Sequence, residues 1–331
     1  MAAREVVRPR VSVVVPTYRR PELLDRCLAA LAAQTLPADE IEVIVVHDGP
    51  SEAARAMAEG WRARWRRDDG PRLTFLSPPH RGPAAARNAG WRAAAADIVA
   101  FTDDDTVPDR AWLERALIAF SDDVDAAWGR IVVPLGGDPT DYELDAARLS
   151  RAEFATANCF CRKRALERVG GFDERFEIAW REDSDLFFRL LASGVRVIHV
   201  PDAVVVHPVR PAPWGVSLGQ QRKVQFDALL FKKHRALYRE RIRERARWDY
   251  YAIVAALAGT AGALAAGATA AALTAAGLWG ALTAWFCAAR LRRTTKRWSH
   301  VVEMVVTSAL IPPLAVFWRA LGALRFAVVF L

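Results

Sequence analysis

Ile98-Val99-Ala100-Phe101-Thr102-Asp103-Asp104-Asp105 is an apolar run that ends in three consecutive carboxylates, shortly before Pro108. Read as a buried strand, it delivers acid side chains to its carboxyl end, where desolvating them is costly unless a positive group meets them. A divalent cation carrying a diphosphate is the usual answer to such a cluster, which makes the stretch a candidate metal and nucleotide site. Taken alone, the same residues also read as a solvated acidic turn or as the cap of a helix starting near Trp112.

Working outward, Val11 to Val15 is a β-branched run stopped by Pro16, and Ile41 to Val46 is a second, stopped by His47-Asp48-Gly49-Pro50. Both read as buried parallel strands. Between them, Leu23, Leu24, Cys27, Leu28 and Leu31 recur at helical spacing. Leu73 to Leu76 gives a third short strand, Ala84 to Ala95 an alanine-rich helix, and Ile98 to Phe101 the fourth strand. Strand and helix alternating in this way predict an α/β sandwich with ligands at the carboxyl ends of the strands. From Trp112 to Pro208 the pattern adds helices at Trp112–Phe120, Arg162–Val169 and Glu182–Ser193, and strands at Ala126–Val133, Val195–Val200 and Val204–Val206. That section is expected to build the wall for a second substrate.

The 331 residues carry a formal net charge of +8. Residues 1–215 hold 29 Lys and Arg against 33 Asp and Glu, whereas residues 216–331 hold 17 against 5. The basic excess therefore lies beside the most apolar part of the chain, which fits a membrane surface and argues against nucleic acid as a partner. Tyr251 to Ala289 contains no charged residue and is flanked by arginines on both sides. A run of that length suits two spans of about 20 residues, and two spans leave both basic flanks on one side of a bilayer. A helical hairpin over 251–289 is expected. The apolar stretch 301–331 is interrupted by Glu303, Pro312-Pro313, Arg319 and Arg325, and reads as a third span, a broken re-entrant helix or an interfacial pair. Val224 to Trp248 interleaves Phe226, Leu229, Leu230, Phe231, Leu237 and Tyr238 with Lys and Arg, an interfacial pattern drawn to anionic lipid. The expected division is a domain over 1–215, a basic amphipathic segment over 216–249 and a membrane region over 250–331. Met1 to Arg10 has no apolar run, so no signal peptide is expected and the first domain is expected in the cytosol. Cys27, Cys159, Cys161 and Cys287 lack the spacing of a zinc site and read as reduced buried thiols.

Pro16-Thr17-Tyr18 after the first strand, Asp48-Gly49 after the second, Arg87-Asn88-x-Gly90 on a helix, Asp103-Asp104-Asp105, Trp180-Arg181-Glu182-Asp183 with Asp185, and His207 follow one another in this order. Together they resemble the family 2 glycosyltransferases, inverting enzymes with the GT-A fold, a mostly parallel central sheet flanked by helices. The resemblance spans roughly residues 10–210. It implies a nucleoside diphosphate sugar donor held by Pro16, Thr17, Tyr18, Asp48, Arg87, Asn88, Asp103 and Asp104. It also implies a divalent cation, Mg²⁺ or Mn²⁺, on Asp105 with Asp103 and a modest contribution from His207.

An inverting transfer needs one carboxylate to take the proton of the acceptor hydroxyl. The resemblance assigns that base to Asp183, with Glu182 in support, although two acids opening a helix also have an ordinary explanation in the helix dipole. Trp180, Gly171 and Phe172 are the candidate acceptor side, with Trp180 reading equally as a core residue. Asp48 in isolation reads equally as an Asx-turn residue. Asp185 and Arg189, four apart, read as a structural ion pair. Gln220-Gln221-Arg222-Lys223 lacks the Gln-x-x-Arg-Trp of processive relatives, so transfer of a single sugar to a saccharide or lipid-linked acceptor is expected. The catalytic domain is expected on the cytosolic face of an inner membrane. A polyprenyl-phosphate acceptor, or a non-catalytic nucleotide-binding membrane scaffold, are the alternatives.

Overall fold

The computed structural model describes residues 8–330. Residues 1–7, on which the signal-peptide expectation falls, and Leu331 lie outside the described residues. The chain forms two compact units, one of residues 8–134 and 148–208 and one of residues 135–147 and 209–330. In chain order the first unit contains β1 (Val11–Thr17), α1 (Pro21–Ala32), β2 (Ile41–His47), α2 (Glu52–Arg67), β3 (Arg72–Leu76), α3 (Pro83–Ala93), β4 (Ile98–Phe101), β5 (Val107–Pro108), α4 (Trp112–Ile118) and β6 (Ala126–Val132). After α5 (Asp141–Ala146), which belongs to the second unit, it continues with β7 (Cys159–Arg162), α6 (Lys163–Val169), α7 (Glu182–Ala192) and β8 (Val197–Val206).

The eight strands form one sheet in the order β3-β2-β1-β4-β7-β6-β8-β5. β1 runs parallel to β2 and β4, and all seven residues of β1 and of β2 are buried, as expected of parallel strands covered on both faces. α1 begins with Pro21 and buries Leu24, Cys27, Leu28 and Leu31, the stripe its spacing predicts. The expected mostly parallel α/β architecture is present, with β7 inserted antiparallel between β4 and β6.

β1 does not stop at Pro16 but continues to Thr17. Its pairing with β4 ends at Val14, whose carbonyl accepts from Thr102 N at 3.3 Å. Pro16 has the parity of Val14, so its missing N–H faces the side that β4 has already left, and no ladder bond is lost. β8 is one strand where two were expected, because a bulge over 201–203 lets Gly129 pair with Val200 and Arg130 with Val204. Gly129 is required there, since a Cβ would stand 2.1 Å from the Ala203 carbonyl. Asn158 Nδ2 donates to the carbonyls of Ala203 and Arg130 at 2.9 and 3.0 Å, which pairs the bulge internally. β8 thereby reaches His207, whose N–H donates to Val132 O at 2.8 Å. The four cysteines are free and buried, as expected.

The second unit holds α5, α8 (Val216–Gln220), α9 (Gln225–Lys233), α10 (Arg235–Leu237), α11 (Trp248–Ala265), α12 (Thr269–Leu291) and α13 (Trp298–Arg325). The charge-free run folds as α11 and α12, which pack together and turn at Gly267, with φ at +69°. α12 and α13 are long and apolar enough to cross a membrane, with mean hydropathies of 1.4 and 1.8. Among the readings open for the last stretch, α13 is a single helix that runs through Pro312 and Pro313. Its polar residues are matched: Arg290 donates to Thr307 Oγ1 at 2.8 Å and Ser308 Oγ at 2.9 Å, and pairs with Asp141 at 2.8 Å.

Val224–Trp248 differs from one amphipathic helix. It breaks into α9, α10 and a π-turn at Tyr238–Ile242, and Phe226, Leu229, Leu230, Phe231 and Tyr238 are buried. Phe226 lies 6.0 Å from Phe326 and Phe231 lies 5.1 Å from Phe330, so these rings are covered by the end of the chain.

Candidate active site

The carboxyl ends of β1, β2 and β4 open on the same edge of the sheet, and the three acids after β4 divide there into two roles. Asp104 turns inward: Thr17 Oγ1 donates to its Oδ2 at 2.7 Å and Arg20 Nη1 to its Oδ1 at 3.2 Å. Burial raises the Asp104 carboxyl to about 6, against the opposing pull of Arg20 and Thr17. This residue ties the exit of β1 to the exit of β4. Asp103 and Asp105 instead converge with His207, and one ligand atom from each lies within 4.8 Å of the others. Asp105 Oδ1 is 3.3 Å from His207 Nε2. Two carboxylate oxygens and one imidazole fit Mn²⁺, and the oxygens fit Mg²⁺ as well.

Asp48 follows β2 and is buried. Its carboxylate accepts from Arg81 N at 2.8 Å and Gly82 N at 3.0 Å, and faces His80 Nδ1 at 2.8 Å. Asp48 therefore shapes the loop ahead of α3. Gly82 is required in that loop, because its φ is +95° and a Cβ would meet Glu177 O at 2.4 Å. The ring of Tyr18, partly exposed, stacks on His80 with centroids 4.8 Å apart. His47 is buried, with Nδ1 2.6 Å from Gly49 O and Nε2 3.3 Å from Arg19 N. A carbonyl needs a donor and an amide needs an acceptor, so the neutral Nδ1–H tautomer satisfies both.

α7 opens on Arg181, a non-glycine residue with φ at +75°. Glu182 is buried, and its Oε1 accepts from Arg87 Nη1 at 2.9 Å. The other arm of the Arg87 fork donates to Asp103 Oδ1 at 2.7 Å. One buried guanidinium thus joins the acidic run after β4 to the first residue of α7. Burial pushes Glu182 up to about 7, because the desolvation of its charge outweighs Arg87 and the Asp183 charge adds to the rise. Glu182 Oε2 is buried with no hydrogen-bond partner among the described residues. Asp183 is half-buried, and its Oδ1 accepts from Ser184 N at 2.6 Å and Ser184 Oγ at 3.2 Å. Asp185 pairs with Arg189 at 2.8 Å in the interior.

The remaining expected site residues are placed differently from one another. Asn88 is buried and saturated: its Nδ2 donates to Phe172 O and Glu174 Oε1, both at 2.9 Å, while its Oδ1 accepts from Phe172 N and Trp91 Nε1, both at 2.8 Å. It pins α3 to the loop over residues 170–174. Gly171 belongs to the same joint, since a Cβ would lie 2.5 Å from Asn88 Oδ1. Phe172 is buried against Phe101 at 5.2 Å, under the Arg87 guanidinium. Trp180 is half-buried, with the Arg181 guanidinium 4.4 Å over its ring. Pro16 lies within β1, and Thr17 and Tyr18 stand at its end. Sequence reasoning missed Arg20 and His80. Arg20 had a signal in its place directly after a strand that ends near carboxylates; nothing in the spacing marks His80.

The sequence profile described as "Glycosyl transferase family 2" matches residues 12–177, and that described as "Glycosyl transferase family group 2" matches residues 98–321. The chain is 28% identical over 230 residues to glycosyltransferase AglE of Haloferax volcanii, covering 65% of this chain and 72% of the relative. It is 33% identical over 220 residues to the pre-mycofactocin glycosyltransferase of Mycobacterium tuberculosis, covering 60% of this chain and 43% of that relative, less than half its length. The mannosyltransferase PcManGT from Pyrobaculum calidifontis, solved in complex with GDP-Man and Mn²⁺, superposes with a TM-score of 0.57 at 25% identity, covering 93% of this chain and 88% of that one. Because those profiles match over residues 12–177 and 98–321 and the superposition spans nearly the whole chain, the chain belongs to the family 2 glycosyltransferases and has the GT-A fold.

Proposed function

We propose that the chain transfers one sugar, with inversion, from a nucleoside diphosphate sugar to a lipid-linked or cell-surface saccharide, and that Asp183 is the general base. The observation that carries this reading is the split between two neighbouring acids. Glu182 is buried and bound to Arg87, whereas Asp183 is half-buried and bonded only to Ser184 among the described residues. The acceptor hydroxyl gives its proton to the Asp183 carboxylate as its oxygen attacks the anomeric carbon, and the bond from that carbon to the diphosphate breaks. Glu182 holds Arg87, and Arg87 holds Asp103, which keeps the donor side and the base in one frame. A divalent cation on Asp103, Asp105 and His207 would supply Lewis acidity and offset the charge of the diphosphate. Tyr18 and the loop shaped by Asp48 are read as the nucleobase end of the donor site.

The basic excess of residues 216–331 and the two long apolar helices support a membrane-bound enzyme with its sugar-transfer domain on the cytosolic side. Asp183→Asn is expected to abolish transfer, measured as nucleoside diphosphate released in the presence of acceptor, while Mn²⁺-dependent binding of the donor nucleotide persists. Transfer at the wild-type rate in that variant would remove Asp183 as the base and favour a phosphate acceptor, which needs little help in losing a proton.

A further inference from the structure

α13 has two unlike faces. Val302, Val306, Leu310, Phe317, Leu321 and Leu324 recur at helical spacing and are exposed, and no exposed residue between Trp298 and Leu324 is charged. The opposite face is covered by the chain that precedes the hairpin. Near the start of α13, Glu303 Oε1 accepts from Gly215 N at 2.7 Å. Towards its end, a Cβ on Gly322 would stand 2.4 Å from the Gln225 carbonyl, and Arg325 Nη1 donates to Gln225 Oε1 at 3.2 Å. Beyond it, Lys232 Nζ donates to Phe326 O at 2.7 Å and Phe231 lies 5.1 Å from Phe330. Residues 215–231 therefore accompany α13 from near its start to past its end.

If α13 crossed a bilayer, residues 215–231 would cross beside it, with Arg222 exposed. The chain would then run back from the level of Phe330 to that of Ile311, which packs with Ile253 of α11. It would do so through residues 234–247, where α10, the π-turn and an irregular stretch leave Arg235, Arg239, Arg241 and Arg245 exposed. Irregular backbone facing lipid does not occur in the hydrocarbon core, and exposed arginine is costly there. The charge at the ends of α13 agrees. Arg292, Arg293, Lys296 and Arg297 are exposed just before it, and Arg235 and Arg239 lie 5.1 and 5.6 Å over Phe231 beside its far end. Basic clusters stay on the cytosolic side of a membrane, so both ends of α13 belong on one side.

We propose that α13 lies along the membrane–water interface instead of crossing the bilayer, with its apolar stripe in the outer acyl layer and the arginines at its two ends among acidic headgroups. This rests on the membrane-bound reading above and takes α13 out of the candidate spans. The test uses the full chain with Val302→Cys, Leu310→Cys, Phe317→Cys or Leu324→Cys, each carrying a nitroxide, in vesicles of phosphatidylcholine and phosphatidylglycerol. All four positions are exposed, so the fold does not depend on them, and the native cysteines are buried. Depth is read from relaxation of each label by oxygen, which enters lipid, against a water-soluble nickel chelate. A crossing helix changes depth by about 1.5 Å per residue, so labels at 302 and 310 would differ by about 12 Å. The four labels are expected at one shallow depth. A profile deepest at 310 and 317 and shallow at both ends would overturn the proposal. Labels that neither reagent reaches would mean that a second copy or another protein covers the stripe, and would overturn the lipid. Failure of the unlabelled chain to float with the vesicles would remove the membrane-bound reading itself, and the proposal with it.

Discussion

Arg87 carries one positive charge between Asp103 and Glu182, with Asp183 adjacent, so the pocket holds more acid than base. Arginine is suited to this position because its two terminal nitrogens reach separate carboxylates at once, which a lysine ammonium does not do in the same plane. Burial, which the single charge of Arg87 does not offset, leaves Glu182 raised to about 7, above the 4.5 usual for a free glutamic acid. Between those values the folded chain keeps a proton that the unfolded chain releases. The stability that Glu182 contributes is complete below about pH 4.5 and is lost as pH rises through about 7. Glu182→Gln should remove that component. Melting temperatures of the two proteins compared at pH 4.5, 6 and 8 test this, since the wild type should lose stability relative to the variant as pH rises. A difference that does not vary with pH would mean that Glu182 is ionised throughout.

At the scale of elements, the site depends on where strands end. β4 stops three residues short of β1 along their shared ladder, so the acids after Phe101 run beside Pro16 and Thr17, and Asp104 is captured by Thr17. The bulge in β8 carries His207 to the edge where Asp103 and Asp105 lie. His207→Ala should therefore weaken Mn²⁺ binding about tenfold or more, since even the loss of an outer partner at metal sites has that effect. Mn²⁺ titration read by thermal shift or calorimetry checks it, and unchanged affinity would confine the cation to the carboxylates. The parallel strands, α1 and the start of α7 were legible from periodicity alone. β7 was not, because Cys159 to Arg162 is too short to show a period, and only its place between β4 and β6 makes it a strand. Asn88 was legible as a motif residue but not as a pin, because its partners Phe172 and Glu174 come more than eighty residues later.

For the whole molecule, the contrast between a first unit of nearly balanced charge and a basic, apolar second unit predicts where the chain resides. Carbonate extraction of membranes from expressing cells should leave the full chain in the pellet; recovery in the soluble fraction would mean that α12 and α13 are covered by protein instead of lipid. The sequence by itself determined the alternation of strands and helices, the family, the charge-free hairpin and the identity of the acids, because each is written in local periodicity or in short motifs. Only the tertiary structure decided which acid faces inward, that Arg87 joins the two halves of the site, and that His207 meets Asp103 and Asp105. Those outcomes depend on contacts between residues far apart in the chain, and burial and charge at such contacts are set by what the fold brings together.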